Sequence, residues 1–275
     1  MHIINKVKLF SKNLIHIFIQ VLLPQSCIVC GVYSFDLSFC KKCFDNIPKP
    51  KNIGVPWIHS TITYDHQSSH KIIHTLKYYN KKSIANSLAY YSCQDFSNFI
   101  DTYIRYNNLK NIFQIFFIPI PISEERYMTR GYNQSQLLAI SLSSFLTKNK
   151  SFKKNIKVVE TLIYKDKNTT KLSQLHDVSF RQEEMYQSMH CDKEEYKNIL
   201  EKNENENENL LEKNENENLL IDDESILTEK SNKNILYVLI DDITTTGSTL
   251  YEARRALMTL PDMDQKYIVA WTVGH

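Results

Sequence analysis

The segment Ile235-Leu-Tyr-Val-Leu-Ile240 constrains the fold more than any other, because six apolar residues in a row suit a central parallel strand buried on both faces. It runs into Asp241-Asp242, and the chain then turns through Ile243-Thr244-Thr245-Thr246-Gly247-Ser248-Thr249. A helix is predicted over Thr249–Thr259, with Leu250, Ala253, Leu257 and Met258 available for its apolar face. In open parallel sheets ligands bind beyond the carboxyl ends of the strands, which is where this turn lies. A helix N-terminus there offers backbone N–H groups and a positive dipole end to a phosphate. Thr244, Thr245, Thr246, Ser248 and Thr249 add hydroxyl donors, and Gly247 permits a positive φ and close backbone approach. Carboxylates beside a phosphate repel it unless something lies between. A ribose ring fits that gap, its hydroxyls donating to Asp241 and Asp242. Mg²⁺ carried on a diphosphate would offset the remaining charge.

Further strands are predicted at Ile58–Tyr64, Ile112–Ile120, Ile156–Ile163 and Tyr267–Val273, each rich in Ile, Val, Phe, Tyr or Thr. Helices are predicted at His70–Leu76, Lys82–Phe96 and Gln134–Leu146. The alternation implies an α/β fold with a mostly parallel sheet and flanking helices. A chain of 275 residues, 42% of them hydrophobic, suffices for one sizeable domain, expected over residues 51–275, plus a small accessory module over residues 1–50.

That module holds Cys27, Cys30, Cys40 and Cys43, two CxxC pairs nine residues apart. Each pair can form a knuckle whose two thiolates face one metal, so the four predict a Cys₄ zinc site. Zinc would crosslink about 25 residues that could not build a core alone. Four thiolates leave no open coordination position, so a structural and not a catalytic metal is expected. Clustered cysteines argue against an extracellular disulfide framework and for the cytoplasm. Cys93 and Cys191 stand apart and receive no role. Upstream, Leu9, Phe10, Leu14, Ile17, Phe18, Val21 and Leu22 recur at helical spacing, predicting an amphipathic helix over residues 1–23. Its apolar run Ile15–Leu23 is too short to cross a bilayer, and Pro24-Gln25-Ser26-Cys27 supplies no signal-cleavage site, so no membrane insertion is expected.

A net charge of +2 averages two unlike parts. Residues 195–230 carry twelve Asp/Glu against four Lys/Arg, so the rest of the chain carries +10. Within that acidic stretch, alternating Glu and Asn from residue 204 to 209 and again from 214 to 218 have little to bury. A disordered surface insertion is therefore predicted over residues 192–233. It reads either as an acidic nucleic-acid mimic or as a repeat expansion without a role. The basic body suits a phosphorylated sugar or a nucleic acid, and equally plain solubility.

Strand, paired acids, hydroxyl-rich glycine turn and helix, in that order, resemble the signature of the phosphoribosyltransferases. Their loop binds a 5′-phosphate and their acids hold the ribose. Within that group the chain is most similar to the ComF branch, related to bacterial competence proteins. The likeness rests also on Leu22-Leu23-Pro24 with the four cysteines, on Ile72-Ile-His-Thr-Leu-Lys77-Tyr78 with Lys81-Lys82, and on Ile118-Pro119-Ile120-Pro121 followed by Arg126 and Arg130-Gly131-Tyr132-Asn133-Gln134. It implies a phosphoribosyltransferase-like fold that binds Mg²⁺–phosphoribosyl pyrophosphate and transfers its phosphoribosyl group to an acceptor. A mobile loop near Arg126–Gln134 would cover the site, with Arg126, Arg130 and Lys77 on the pyrophosphate oxygens. The bland reading of that segment is a solvated basic loop followed by a helix with Leu137, Leu138 and Ile140 in the core. One departure touches the acceptor side. Thr170, Gln174, Leu175 and Arg181 can be placed on the family pattern, but Glu184 stands where Asn is expected. The alternative implied by the resemblance is a non-catalytic accessory of DNA uptake. It would bind single-stranded DNA or competence proteins, with Tyr78-Tyr79 and Tyr90-Tyr91 as stacking surfaces.

Overall fold

The computed structural model describes residues 26–33, 37–50, 54–79, 82–149, 152, 154–165, 188–203 and 235–275. The helix predicted over residues 1–23 lies outside them, as does the pattern from Thr170 to Glu184. Five strands form one parallel sheet: β1 (Ile58–Ile62), β2 (Gln114–Pro119), β3 (Asn155–Val158), β6 (Ile235–Ile243) and β7 (Ile268–Gly274), in the order β1-β7-β6-β2-β3. The apolar segment at 235–240 is indeed central. It pairs with β2 from Gln114↔Ile235 to Pro119↔Ile240, and with β7 from Tyr237↔Ile268 to Ile243↔Gly274. Every residue of β6 up to Asp242 is buried. The strand thus continues through both acids, where the sequence suggested that it ended before them.

Helices fill the crossovers: α2 (Gln67–Tyr78) and α3 (Lys82–Tyr106) after β1, α4 (Glu124–Arg130) and α5 (Gln134–Lys148) after β2, and α7 (Ser248–Leu257) after β6. Phe96 of α3 stands edge-on to Phe117 and Trp271, and the Trp271 indole donates to Thr61 Oγ1 at 3.0 Å. Burial of each such ring contributes about 1.5–3 kcal/mol. α5 packs on α3 and over β2, β3 and β6. Asn133 starts it by accepting from Ser135 N–H at 3.0 Å, so the predicted helix at 134 begins on its cap.

Three expectations need correction. The strand predicted over Ile156–Ile163 is two strands. β3 ends at Val158, and β4 (Ile163–Lys165) leaves the sheet to pair antiparallel with β5 (Met189–Cys191). The basic segment after Pro121 is no loop: Ser123 caps α4, and Gly131 at φ +74° ends it with its N–H on Tyr127 O. The insertion predicted to be disordered over 192–233 begins with an ordered helix, α6, at residues 193–203. Tyr196 and Ile199 of that helix are buried, and the Tyr196 hydroxyl lies 3.0 Å from that of Tyr237. A phenol inside a core needs a partner, and α6 provides it. Residues 204–233 lie outside the described set.

The cysteine segment, which includes the short helix α1 (Lys41–Asp45), packs on α3. Phe39, Phe44 and Tyr91 stack with centroids 4.9–6.1 Å apart, while Ser38 N–H donates to Ser87 Oγ at 2.8 Å. Of the tyrosines proposed for base stacking, Tyr91 is therefore engaged in packing. Tyr78, Tyr79 and Tyr90 are at least half exposed. Among the described residues no helix is long and apolar enough to cross a membrane.

Candidate functional site

The strand order makes the crevice. After β2 the chain moves outward to β3, whereas after β6 it moves the opposite way to β7. The connections leaving β2 and β6 therefore part at the carboxyl end of the sheet, the arrangement at which open α/β sheets take ligands. One of these connections carries Arg126–Gln134 and the other carries Thr244–Thr249. The two most distinctive segments of the chain thus leave from neighbouring strand ends.

The turn after β6 is held from behind and open in front. Thr244 is buried with its N–H on Gly274 O at 2.9 Å, while Thr245 and Thr246 are exposed. Gly247 sits at φ +76° as the N-cap of α7 and has no side chain to cap it, while Thr246 Oγ1 accepts from Ser248 N–H at 3.4 Å. The backbone angle favours glycine, and a Cβ at this position would come 3.2 Å from the Tyr251 ring, which would have to give way. The Thr246 and Ser248 hydroxyls lie 2.7 Å apart. Two adjacent hydroxyls at a helix start form an anion-accepting surface.

The two acids behave differently from the expected pair. Successive strand residues point to opposite sides, and the carboxylates diverge. Asp241 Oδ1 accepts from Ser135 Oγ at 3.0 Å, at the start of α5. Asp242 Oδ2 lies 3.0 Å from Lys77 Nζ at the end of α2, an ion contact without hydrogen-bond geometry. Burial, reinforced by the Asp242 carboxylate, pushes Asp241 up to about 7. Asp241 Oδ2 takes no hydrogen bond among the described residues and is the acceptor left for a ligand hydroxyl.

The three cations proposed from sequence have separate positions. Lys77 is the counterion of Asp242. Arg130 donates to Gln134 Oε1 at 2.9 Å, and its guanidinium sits 5.3 Å from the Tyr78 ring centroid, a cation–π contact. Arg126 is exposed on α4. The α4–α5 corner is tied down by the Tyr132 hydroxyl donating to Leu76 O and by Asn133 Nδ2 donating to Ile120 O at 3.0 Å. Sequence reasoning missed Lys165, at the end of β4. Burial lowers its pKa, opposed by the Asp241 charge and assisted by that of Arg126, so the three share one neighbourhood. Its signal is invisible in sequence, because a single lysine after three apolar residues looks like any strand end.

The four cysteine sulfurs lie within 4.8 Å of one another, and Cys30 Sγ is 3.8 Å from Cys40 Sγ. Burial alone would raise the Cys27 thiol, but hydrogen bonds from the backbone of Cys30, Cys40 and Val29 bring it down to about 6. One of these is Cys40 N–H to Cys27 Sγ at 3.3 Å. Burial and the surrounding sulfurs push Cys43 upward. Four sulfurs with one already favoured as thiolate could hold a metal such as zinc.

No protein-family model matches the chain, and no curated protein matches it.

Proposed function

We propose that the chain binds Mg²⁺–phosphoribosyl pyrophosphate at the carboxyl end of β6 and transfers its phosphoribosyl group to an acceptor. The observation that carries the reading is the glycine-led start of α7, with its Thr246–Ser248 hydroxyl pair, directly after two buried acids at the point where the strand order reverses. The phosphoribosyltransferase-like fold and the ComF resemblance belong to the same proposal. The 5′-phosphate takes the N–H groups of the first turn of α7 and the hydroxyls of Thr245, Thr246, Ser248 and Thr249. The ribose hydroxyls donate to Asp241 Oδ2, while Ser135 and Lys77 hold the two carboxylates in place. The bond from C1 to the diphosphate breaks with its electron pair leaving on the diphosphate. A bond from the acceptor's lone pair to C1 forms as the acceptor releases a proton. Mg²⁺, bound when the ligand carries it, neutralises charge on the leaving diphosphate. In the cysteine cluster the metal would be a structural zinc, since Cys27, Cys30, Cys40 and Cys43 leave no open position.

Calorimetric titration of Mg²⁺–phosphoribosyl pyrophosphate into the wild type and the Asp241→Asn/Asp242→Asn double variant tests the reading. Binding by the wild type that the double variant loses is the expected result. A folded, zinc-loaded wild type that does not bind sinks the proposal.

A second reading is a platform for single-stranded DNA. Exposed Tyr78, Tyr79 and Tyr127 near Arg126 and Arg130 favour it, since bases stack on such rings beside phosphate-binding cations. Its affinity would fall steeply with salt, and the absence of binding to an oligothymidylate at low salt would dismiss it.

A further inference from the structure

Ser135 is fully buried at the start of α5, and its hydroxyl donates to Asp241 Oδ1 at 3.0 Å. The Asp242 N–H donates to the same oxygen at 2.9 Å. Both hydrogen bonds thus fall on Oδ1, while Oδ2 takes none among the described residues. A carboxyl held by one oxygen cannot rotate without giving up both bonds, so the other oxygen keeps one direction.

Ser135 is itself anchored. Asn133 accepts from Ser135 N–H at 3.0 Å and donates from Nδ2 to Ile120 O, just past β2, at 3.0 Å. Tyr132 donates its hydroxyl to Leu76 O on α2, and Arg130 donates to Gln134. The corner that the family resemblance casts as a cover over the diphosphate is therefore fastened to α2 and to the chain past β2, and it delivers one hydroxyl to Asp241. Burial and the Asp242 carboxylate oppose ionisation of Asp241, while the Asp242 N–H, the Ser135 hydroxyl and the Lys165 charge on β4 favour it. Asp242 is itself paired with Lys77 of α2, and β7 sets the uncharged Thr272 opposite Asp241.

We propose that Ser135 is a positioning residue for Asp241: by occupying Oδ1 it turns Oδ2 to the ligand and keeps the group a carboxylate, able to accept from a ribose hydroxyl. A proton on Asp241 would sit on Oδ2, because two donors already fill Oδ1, and would turn that acceptor into a donor. This rests on the phosphoribosyl reading and adds to it that binding at the crevice depends on pH through Ser135.

The experiment follows the Asp241 carboxyl in full-length wild type, Ser135→Ala and Ser135→Thr by carbon-13 NMR of labelled aspartate. Loss of the resonance in Asp241→Asn identifies it, and thermal melts confirm folding. Calorimetric titration of ribose 5-phosphate across the same pH range accompanies it. The ligand's own phosphate titrates near pH 6 and does so for every variant alike, so differences between variants report Asp241. The wild-type carboxyl is expected to titrate near pH 7. Ser135→Ala should titrate about one pH unit higher, and Ser135→Thr, which keeps the hydroxyl, close to wild type. At pH 7 Ser135→Ala should then bind ribose 5-phosphate roughly fivefold more weakly, with the difference closing as pH rises. An unshifted titration in Ser135→Ala overturns the proposal, whether or not the added methyl of threonine is accommodated. A shifted titration with unchanged affinity at pH 7 overturns it too, since Asp241 would then not meet the ligand. Wild-type binding without the shift ends the proposal alone, whereas a wild type that binds no ribose 5-phosphate ends the phosphoribosyl reading with it.

Discussion

The cysteine cluster and the crevice at the end of β6 both gather polar atoms tightly, but they use them in opposite ways. In the cluster four sulfurs turn toward one another within 4.8 Å, two of the four residues are buried, and nothing is left over for a ligand. In the crevice Asp241 is tied to Ser135 and Asp242 to Lys77, while Asp241 Oδ2 and the Lys165 ammonium make no hydrogen bond or ion pair among the described residues. A closed polar cluster holds its own chain together. An open one, seated on a rigid sheet, is completed by something from outside.

The largest effect should come from opening the closed cluster. Cys43→Ser, or chelation of the wild type, is expected to lower the melting temperature by roughly 10 °C or more and to remove one bound zinc per chain by elemental analysis. A metal-free chain that melts at the wild-type temperature would mean that the Phe39–Phe44–Tyr91 stack alone secures the segment, and the contrast would fail. Next in size is Asp241→Asn. With the native carboxyl raised to about 7, the folded chain retains a proton that the unfolded chain releases near pH 4, so stability falls as pH rises from about 4 through 7 and then levels off. Asn keeps an acceptor for Ser135 and carries no charge. The variant should therefore melt several degrees higher than wild type at pH 8 and about equally near pH 4, while binding ligand less well. A lower melting temperature at pH 8 would show that the open site is not held at a cost. The smallest effect on stability belongs to Gly247→Ala. A methyl 3.2 Å from Tyr251 on a backbone at φ +76° should cost about 1–2 kcal/mol in denaturant titrations. Loss of anion binding should exceed that cost, and an alanine variant that binds normally would sharpen the view that the hydroxyls, not the turn geometry, make the contact.

Much of this was readable from the residues. The run 235–240 announced a buried parallel strand, Gly247 announced the positive-φ cap, and the paired CxxC spacing brought four sulfurs together as expected. Other features were hidden for definite reasons. α3 continues from Phe96 to Tyr106 through Ser97, Asn98, Asp101 and Thr102, which are weak helix formers, because Ile100 and Tyr103 are buried beneath it. In α6, Tyr196, Ile199 and Leu200 are spaced for one helix face, yet the neighbouring Glu and Asn swamp that pattern in composition. β4 and β5 are three residues each, too short for periodicity, and they meet only through the tertiary fold. Hence Lys165, which depends on that ribbon, escaped notice. The paired acids were legible as residues but not as a geometry, because the alternation that separates them follows from β6 continuing to Ile243.

The strand order also sets a timetable for synthesis. β1 lies next to β7, with Ile58 opposite Ala270, and β2 lies next to β6, with Gln114 opposite Ile235. The two middle strands of the sheet thus leave the ribosome after those they must join. Until residue 235 has been made β2 has β3 alone, and until residue 268 β1 has no neighbour in the sheet. Such distant pairings close slowly and leave apolar strand edges bare in the meantime. The nascent chain is therefore expected to carry unpaired strand edges for much of its elongation. Its yield on expression should respond to translation rate and chaperone supply more than to any substitution at the site.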